Sequence, residues 1–342
     1  MILHFGLSTL QGKPRSMRDG HWKSTFKFTI RQSLSLPVTP ATNTKGNDMA
    51  TFFKEFNEYS PFPDGMPHVK FIEPLRERGH YRLKCRIVSG DDLIRVACAI
   101  NVLRHNRYKV HLEIMYLMGG RMDVRNSEYE PYTLKSICDI INGFDIESVS
   151  VFCPHSQATA DLLHKYERMF DDDGSFFFQM GVNRCMDRLI PNIDSGVEFE
   201  GISLVFPDAG AAKRFGKMPF VGLWLNSNIV VMDKCRDRST GKILGMKIAV
   251  GVVKRVCVIV DDLCDGGATF RGCGEILKER GAELVGLVVA HGIFSKGLPI
   301  GNVDYVFTSN SFCEFGESLS LNVEPRKLSV YNLQTGEVRC LE

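Results

Sequence analysis

The chain has 342 residues, which is enough for two conventional folded domains. With 44% hydrophobic and 24% charged residues, its composition excludes a disordered, collagen-like or small disulfide-rich chain. The 42 basic and 40 acidic residues leave a net charge of +2. Charge therefore gives no reason to expect a nucleic-acid partner or a membrane-surface partner.

The eleven cysteines are interpreted as free thiols. Several of them, including Cys138, Cys257 and Cys273, lie in apolar periodic segments, where a free cysteine packs as a small hydrophobic residue. The sequence has no CxxC pair, which argues against a structural zinc site. No apolar run is long enough to span a bilayer, and the first residues lack a secretory pattern. We therefore expect a reducing, cytoplasmic location and no membrane partner.

Residues 1–48 differ from the rest of the chain because they are basic and rich in serine and threonine. This composition is typical of a flexible arm, or of a start assigned upstream of a true start at Met49. An organelle transit peptide is the alternative. The expected organisation is an arm at 1–48, an N-terminal domain at 49–180 and a C-terminal domain at 181–342.

Strands and helices alternate in the first half of the folded part. Strands are predicted over Arg82–Val88, Val110–Tyr116 and Ser148–Cys153. Helical spacing of apolar residues separates the first two, and a helix from Pro131 to Gly143 separates the second pair. This alternation predicts a parallel sheet with helices on its faces.

The second half repeats the same scheme. Its predicted strands are Ile202–Phe206, Ile229–Met232, Val256–Val260 and Leu284–Ala290. A polar loop is expected at 261–268, followed by a helix that ends at Gly281. The stretch that joins the halves, 165–200, is expected to be irregular and includes three consecutive phenylalanines, Phe176–Phe178.

One segment carries most of the functional information. Residues 258–270 run from an apolar strand through Asp261 and Asp262 into a glycine-rich turn and then a helix. Small residues let backbone N–H groups approach a phosphate, and the N-terminus of the helix adds positive potential. Two carboxylates at the end of the strand suit the neighbouring hydroxyls of a ribose, at the sheet edge where α/β folds bind ligands. The segment therefore predicts a ribose-phosphate site in preference to a plain turn.

This segment resembles the ribose-phosphate loop of type I phosphoribosyltransferase folds. The resemblance implies that ribose phosphate is held by Asp261, Asp262, Asp265, Gly266, Gly267, Ala268 and Thr269. The loop alone does not distinguish phosphoribosyltransferases from ribose-phosphate diphosphokinases, also called phosphoribosyl pyrophosphate synthetases. Five further segments resemble the diphosphokinase family and occur in its order.

The first three of these segments, residues 62–66, 116–123 and 154–156, resemble parts of an ATP site. In the family they supply an aromatic ring and a carboxylate for adenine, an arginine for the phosphates, and a histidine that helps to hold the metal–ATP complex. The residues that the resemblance assigns to ATP are Phe62, Asp64, Arg121, Asp123 and His155.

The last two segments imply the metal and catalytic residues. Residues 206–210 resemble a pyrophosphate loop in which Asp208, together with His155, binds the metal. Residues 232–238 resemble the beginning of a flexible catalytic loop. In that loop Lys234 and Arg236 would neutralise the transition state.

The resemblance implies a ribose-phosphate pyrophosphokinase. Such an enzyme transfers pyrophosphate from MgATP to the C1 hydroxyl of ribose 5-phosphate, giving phosphoribosyl diphosphate and AMP. The expected fold is α/β, with two phosphoribosyltransferase-like domains, each a mainly parallel sheet flanked by helices. The resemblance also implies Mg²⁺ as cofactor, ATP and ribose 5-phosphate as partners, and a homodimer or homohexamer.

Three departures from the family pattern leave alternatives open. Met66 and Met122 replace the usual Glu and Gln at the ATP site, and the phosphate loop reads D-G-G-A-T instead of D-T-G-G-T. One alternative is a pyrophosphokinase for a larger ribosyl acceptor, such as ADP-ribose in NAD salvage. The others are a non-catalytic regulatory subunit of a synthetase and a plain phosphoribosyltransferase.

Overall fold

The computed structural model describes residues 56–59, 61–71, 79–168, 173–190, 201–224, 228–236, 243–314 and 327–341. The chain divides into two units, Met1–Lys45 and Gly46–Glu342, and every described residue belongs to the second unit. The arm expected at 1–48 lies outside the described residues.

The described strands and helices alternate along the chain. The strands are β1 (Phe56–Tyr59), β2 (His68–Phe71), β3 (His80–Ile87), β4 (Lys109–Leu117), β5 (Ser148–Val151), β6 (Ile202–Phe206), β7 (Ile229–Arg236), β8 (Ile243–Val250), β9 (Val256–Cys264), β10 (Leu284–Gly292), β11 (Tyr305–Ser309), β12 (Leu328–Tyr331) and β13 (Val338–Leu341). The helices are α1 (Gly90–His105), α2 (Thr133–Asn142), α3 (Ala158–Leu162), α4 (Ser175–Leu189), α5 (Ala209–Phe215) and α6 (Ala268–Glu279), with a 3₁₀ turn at Pro219–Trp224.

Two mainly parallel sheets carry the fold. The smaller sheet has three parallel strands in the order β3-β4-β5. The larger sheet has the order β13-β12-β11-β10-β9-β6-β7-β8, and β13 and β8 at its edges run antiparallel to their neighbours. Strands β1 and β2 form a separate antiparallel pair. This arrangement confirms the predicted α/β class.

The central strands of the larger sheet are buried on both faces, as their apolar sequences predict. Alternate residues of β9 point to opposite sides, so that Val256 and Val258 pack with α4 and α5 while Cys257 and Ile259 pack with α6. A strand that is covered on both sides is apolar throughout rather than alternating. The ends of these strands are the exception, and polar residues collect there.

The smaller sheet is apolar on one face and polar on the other. Leu83 and Cys85 of β3 pack with helices α1 and α2. The opposite face carries the side chains of Arg82, Lys84 and Glu113 and lines a cleft of about 480 Å³. Arg82 Nη1 lies 2.7 Å from Glu113 Oε1, so the buried carboxylate has a charged partner.

The two sheets share one hydrophobic core. Met115 of β4 and the two residues that follow β5, Phe152 and Cys153, pack into the cluster that covers one face of the larger sheet. Arg86 of β3 is 1% exposed and donates from Nε and Nη2 to the Asn310 carbonyl at 3.0 and 2.8 Å. These contacts fix the relative position of the sheets.

Most predicted elements are confirmed with small shifts at their ends. The strand predicted over Ile202–Phe206 has those bounds, and the helix predicted from Pro131 begins at Thr133 and ends before Gly143. The ten described cysteines are free, and eight of them are buried. Among the residues that the structure describes, no helix combines the length and the apolar character needed to cross a membrane.

Two expectations about local structure are wrong. The loop expected at 261–268 is shorter, because β9 continues through Asp261 and Asp262 to Cys264 and keeps its pairing with β10. The phenylalanines expected in an irregular segment instead begin α4, where Phe177 and Phe178 are fully buried. Three adjacent aromatic residues mask helical periodicity, because two of them face the core and Phe176 does not. The domain boundary between 180 and 181 falls within α4 and stays a prediction.

Candidate active site

A cavity of about 1210 Å³ lies where strands of both sheets end. Parallel strands place their carboxyl ends at one edge, so residues that follow different strands converge there. From the smaller sheet the lining includes Arg121 and His155. From the larger sheet it includes Asp208, Arg214, Lys234, Asp261, Asp262, residues 265–272, Glu275, Ser295 and Lys296.

The predicted phosphate loop forms one wall of this cavity. Gly267 precedes α6 with φ of 73°, a left-handed conformation that favours glycine. The turn is held by Arg271, which donates to the Gly266 carbonyl at 2.8 Å, and by Ser295, which donates to Asp265 at 2.6 Å. The first N–H groups of a helix have no acceptor within it, so Ala268 and Thr269 present donors to the cavity.

The paired carboxylates differ in their electrostatic surroundings. Burial disfavours the charge of Asp262, but the hydrogen bond from His155 and the charge of Arg214 outweigh it and hold the pKa of Asp262 well below its usual range. Burial and the neighbouring charge of Asp262 raise the pKa of Asp261. Asp262 is therefore firmly ionised, whereas the ionised form of Asp261 would be stabilised by a hydroxyl donor or a cation.

Arg214 joins the two sheets at the floor of the cavity. Its Nη1 donates to the His155 carbonyl at 2.8 Å and to Asp262 Oδ2 at 3.1 Å, and its Nη2 lies 3.2 Å from Cys153 Sγ. His155 itself donates to Asp262 from Nδ1. We call Cys153, His155, Arg214, Asp262 and His291 the inter-sheet contact.

His291 completes the inter-sheet contact from β10. Its Nε2 lies 3.1 Å from the Cys153 carbonyl and its Nδ1 lies 2.8 Å from Ser311 Oγ. Burial disfavours the imidazolium and lowers the pKa of His291 to about 4. A neutral ring therefore donates to the carbonyl and accepts from the serine. Cys153 takes a φ of 43°, unusual for a residue with a side chain, and its position is fixed by these contacts.

Lys234 and Asp208 face each other across the cavity wall. Asp208 caps α5 by accepting from the Ala211 N–H at 2.8 Å and forms an ion pair with Lys234. Burial opposes ionisation of Asp208, but these two donors outweigh it, so the pKa of Asp208 is lowered. Lys234 thus has its ammonium group inside the cavity, close to a carboxylate that a cationic ligand would also bind.

The oxygen donors of the cavity suit Mg²⁺. Magnesium is bound through one or two carboxylates together with substrate phosphates and water. Asp208 supplies such a carboxylate, and His155, whose Nδ1 is used by Asp262, leaves Nε2 available. Within the described ranges, no group of three or more His, Cys, Asp or Glu side chains is arranged to hold a metal by itself. Asp208 and His155 therefore suit a cation that is bound partly by the phosphates of a substrate.

Not all predicted ATP residues meet at the cavity. Arg121 lies 3.5 Å from Asp265, so it links the smaller sheet to the phosphate loop. The lining of the cavity does not include Phe62, Asp64 or Asp123. Phe62 is half exposed and stacks on His68 with ring centroids 4.9 Å apart. Arg236 ends β7, and its side chain lies outside the described part of the structure.

The methionines that depart from the family pattern do not fill the cavity. Met66 and Met122 are 44% and 53% exposed, and neither belongs to the lining.

Sequence reasoning missed Arg214, Cys153 and His291 as site residues. His291 follows the predicted strand Leu284–Ala290 directly, so the rule that ligands bind at the carboxyl ends of parallel strands would have found it. Arg214 gives a weaker signal, because it lies six residues after Asp208 on a short helix that was not predicted.

Comparisons with known proteins agree with this geometry. A model of the phosphoribosyl transferase domain matches residues 251–323, which include the phosphate loop. Ribose-phosphate pyrophosphokinase of Mycoplasma pneumoniae is 25% identical over 264 residues, covering 74% of this chain and 75% of that protein. The Buchnera aphidicola enzyme of the same name is 24% identical over 81% of this chain and 85% of its own length.

The chain is similar to ribose-phosphate pyrophosphokinases over about three quarters of its length. A rice protein, ribose-phosphate pyrophosphokinase 4, is 36% identical over a shorter stretch that covers 42% of this chain and 41% of that protein. The fold agrees with a solved structure, phosphoribosylpyrophosphate synthetase from Mycobacterium smegmatis, with a TM-score of 0.60 and 18% identity. That match covers 83% of this chain and 87% of the other.

Proposed function

We propose that the protein is a ribose-phosphate pyrophosphokinase that transfers pyrophosphate from MgATP to the C1 hydroxyl of ribose 5-phosphate. The observation that carries the proposal is the shared cavity. It places the phosphate loop of the larger sheet within 3.5 Å of Arg121 from the smaller sheet. An acceptor phosphate and a nucleoside triphosphate would therefore be bound side by side.

The acceptor is held at the larger sheet. The loop at 265–269 binds the 5-phosphate through backbone N–H groups and the Thr269 hydroxyl. Asp261 and Asp262 accept hydrogen bonds from the ribose hydroxyls, and Arg214 keeps Asp262 ionised and in place. Holding two substrates in the reactive orientation supplies ~7–11 kcal/mol of the barrier.

The triphosphate is held between the sheets. Arg121 and His155 contact its phosphates from the smaller sheet, and Phe62, Asp64 and Asp123 are proposed to bind the rest of ATP. Lys234 and Arg236 neutralise the charge that develops as the C1 oxygen attacks the β-phosphorus and AMP leaves. When Mg²⁺ is bound by Asp208, His155 and the phosphates, it neutralises charge on the phosphate oxygens.

We also propose the setting in which the enzyme acts. Free, mostly buried cysteines fit a reducing compartment, so we place the protein in the cytoplasm. The family resemblance favours a homodimer or homohexamer. Size-exclusion chromatography with light scattering measures the mass of the assembly, and a monomer would contradict this part of the proposal.

An assay of AMP formation tests the activity. The purified protein is incubated with MgATP and either ribose 5-phosphate or ADP-ribose. Formation of AMP that depends on ribose 5-phosphate is expected. Formation with ADP-ribose alone would replace the proposed acceptor with the larger one, and no AMP with either acceptor would reject the catalytic proposal.

Two lysine variants show whether the chemistry belongs to this cavity. Lys234→Ala removes a cation that faces the transferring group, so kcat is expected to fall about 10²–10³-fold. Lys247→Ala is the matched control, because Lys247 is 75% exposed and pairs with Asp233 outside the cavity. An unchanged kcat for Lys234→Ala, with circular dichroism showing a native fold, would reject the role of Lys234.

A further inference from the structure

A partly exposed thiol lies among arginines at the edge of the larger sheet. Cys340 of β13 pairs with Ser329 of β12, and its Sγ lies 3.1 Å from Ser329 Oγ. Arg188 Nη2 is 2.6 Å from the sulfur and Arg184 Nη2 is 3.6 Å away. The two arginines are four residues apart on α4, so both guanidinium groups reach the strand from one helix face.

Several buried donors near this thiol lack a well-placed acceptor. The Nε atoms of Arg184 and Arg188 are buried and have no hydrogen-bond partner within the described residues. Tyr305 is 3% exposed, and its hydroxyl lies near enough to Ser329, Cys340 and Arg184 for each to act on its pKa, but it meets no partner in good hydrogen-bond geometry within the described residues. Burial raises the pKa of Tyr305 to about 12, so its hydroxyl stays a donor at neutral pH. Unsatisfied buried donors are costly, and oxygen atoms added at the sulfur would satisfy them.

The pKa of Cys340 is shifted in the opposite direction from the pKa values of six other described cysteines. Partial burial opposes its thiolate, but hydrogen bonds from Ser329 and Arg184 and the charge of Arg188 outweigh it, so the pKa of Cys340 is lowered. Burial raises the pKa of six others, which are Cys85, Cys138, Cys185, Cys257, Cys264 and Cys273. A thiolate beside arginine and open to solvent is the nucleophilic form of cysteine.

We propose that Cys340 is a peroxide-reactive modification site, with its sulfenate oxygen bound by Arg184, Arg188 and Tyr305. The thiolate attacks one oxygen of a hydroperoxide, an S–O bond forms and the O–O bond breaks. Hydroxide leaves from hydrogen peroxide and takes the sulfenic proton to give water, so that sulfur is oxidised by two electrons and the peroxide is reduced. Two molecules of a small thiol reverse the reaction: the first forms a mixed disulfide with Cys340 and releases water, and the second frees the Cys340 thiol and leaves as the disulfide of the small thiol.

This site is separate from the substrate cavity. Cys340 does not belong to the cavity lining, and four strand spacings of the larger sheet separate β13 from β9, which is roughly 19 Å. The proposal therefore does not depend on the activity of the enzyme.

Alkylation of the full-length protein measures the reactivity of the thiol. Iodoacetamide is added between pH 5.5 and 9, and peptide mass spectrometry follows Cys340 and Cys98, the other partly exposed cysteine among those described. At pH 6.5, Cys340 is expected to react at least tenfold faster than Cys98. Equal rates at that pH, or the same pH profile for both, would overturn the proposal.

Oxidation by peroxide tests whether the Cys340 thiol is reactive, and two variants test whether Arg188 causes that reactivity. Hydrogen peroxide followed by dimedone, which traps sulfenic acid, is expected to label Cys340, and absence of the adduct would overturn the proposal.

Arg188→Met keeps the apolar stem of the side chain and is expected to slow both alkylation and oxidation of Cys340 about tenfold at pH 6.5. Arg339→Met, which changes an exposed neighbour on β13, is expected to leave both rates unchanged. Equal effects of the two variants would contradict the role of Arg188, and circular dichroism checks that both are folded.

Discussion

The phosphate loop and three residues of the inter-sheet contact, His155, Arg214 and Asp262, line the cavity, but the two groups are built differently. The loop is contiguous in the chain, since β9, Asp265–Thr269 and α6 follow one another. The inter-sheet contact joins residues that are about a hundred positions apart, as with His155 and Asp262. A contiguous site depends on local backbone conformation, whereas a distant one depends on the packing of the whole molecule. We therefore expect changes in the loop to affect ligand binding, and changes in the inter-sheet contact to affect stability and the alignment of the two sheets.

Loss of Arg214 is expected to have the largest effect on stability. Arg214→Met leaves Asp262 and Asp261 without their shared cation and removes the donor to the His155 carbonyl. The free energy of unfolding is expected to fall by about 3 kcal/mol, because breaking a buried charge pair leaves a charge uncompensated. Urea denaturation measures it.

The neighbouring residue provides the control for this change. Lys213 lies on the same helix, is exposed, and carries the same charge. Lys213→Met is expected to change the free energy of unfolding by less than about 0.5 kcal/mol. If the two variants were equally stable, the inter-sheet contact would not hold the sheets together.

A change in the phosphate loop is expected to affect binding but not stability. Thr269→Val removes one hydrogen bond to the acceptor phosphate, so the KM for ribose 5-phosphate is expected to rise about tenfold. The KM for ATP and the denaturation midpoint are expected to stay the same. Steady-state kinetics measures both KM values. Thr335→Val, a change in an exposed turn, is the control. If Thr269→Val raised the KM for ATP as well as the KM for ribose 5-phosphate, Thr269 would not be a specific ligand of the acceptor phosphate.

The smallest expected effect concerns pH. Because the pKa of His291 is lowered to about 4 by burial, the unfolded chain binds its proton more readily between pH 6.5 and 4. Stability therefore falls as the pH decreases through this window, by up to about 1.4 kcal/mol per pH unit from this residue. His291→Gln keeps a donor for the Cys153 carbonyl and is expected to reduce the slope by about 1 kcal/mol per unit.

Denaturation at several pH values measures this slope. His105→Gln, at the exposed end of α1, is the control variant and is expected to keep the wild-type slope. Asp262 also loses stabilising charge in acid, but that loss occurs mainly between the ordinary aspartate pKa of 3.8 and the lowered pKa of the folded state, which is below the window used here. An unchanged slope in His291→Gln would show that the buried ring does not contribute.

The contrast between contiguous and distant residues also explains which parts of the fold could be predicted from the sequence. Apolar strands such as Ile202–Phe206 and the turn at Gly266–Gly267 are determined by neighbouring residues, and their positions were predicted correctly. The strand that continues through Asp262 was cut short, because pairing with β10 outweighs the polarity of two aspartates. Helix α4 was missed because its periodicity is hidden by three adjacent phenylalanines.

The residues of the candidate site also divide into those that the sequence predicted and those that it missed. Local pattern and family resemblance placed Lys234, Asp208 and the loop residues at one cavity, where the structure brings them together. They did not reveal Arg214, because the role of a cation on a short helix depends on which carboxylate lies beside it, and strand β9 places Asp262 there. Nor did they show that Phe62 and Asp64 lie on a hairpin outside the cavity lining. The roles of these residues stay predictions.

The shared core has a consequence for how substrates enter. Because Phe152 and Met115 are inserted between the sheets, widening the gap would pull apolar side chains into water. We therefore expect the cavity to keep a fixed width when ligands bind, with any adjustment confined to the loops that line it. Such an enzyme would select its substrates by size, because only a pair of ligands that fits the fixed distance between the two sheets would bind together.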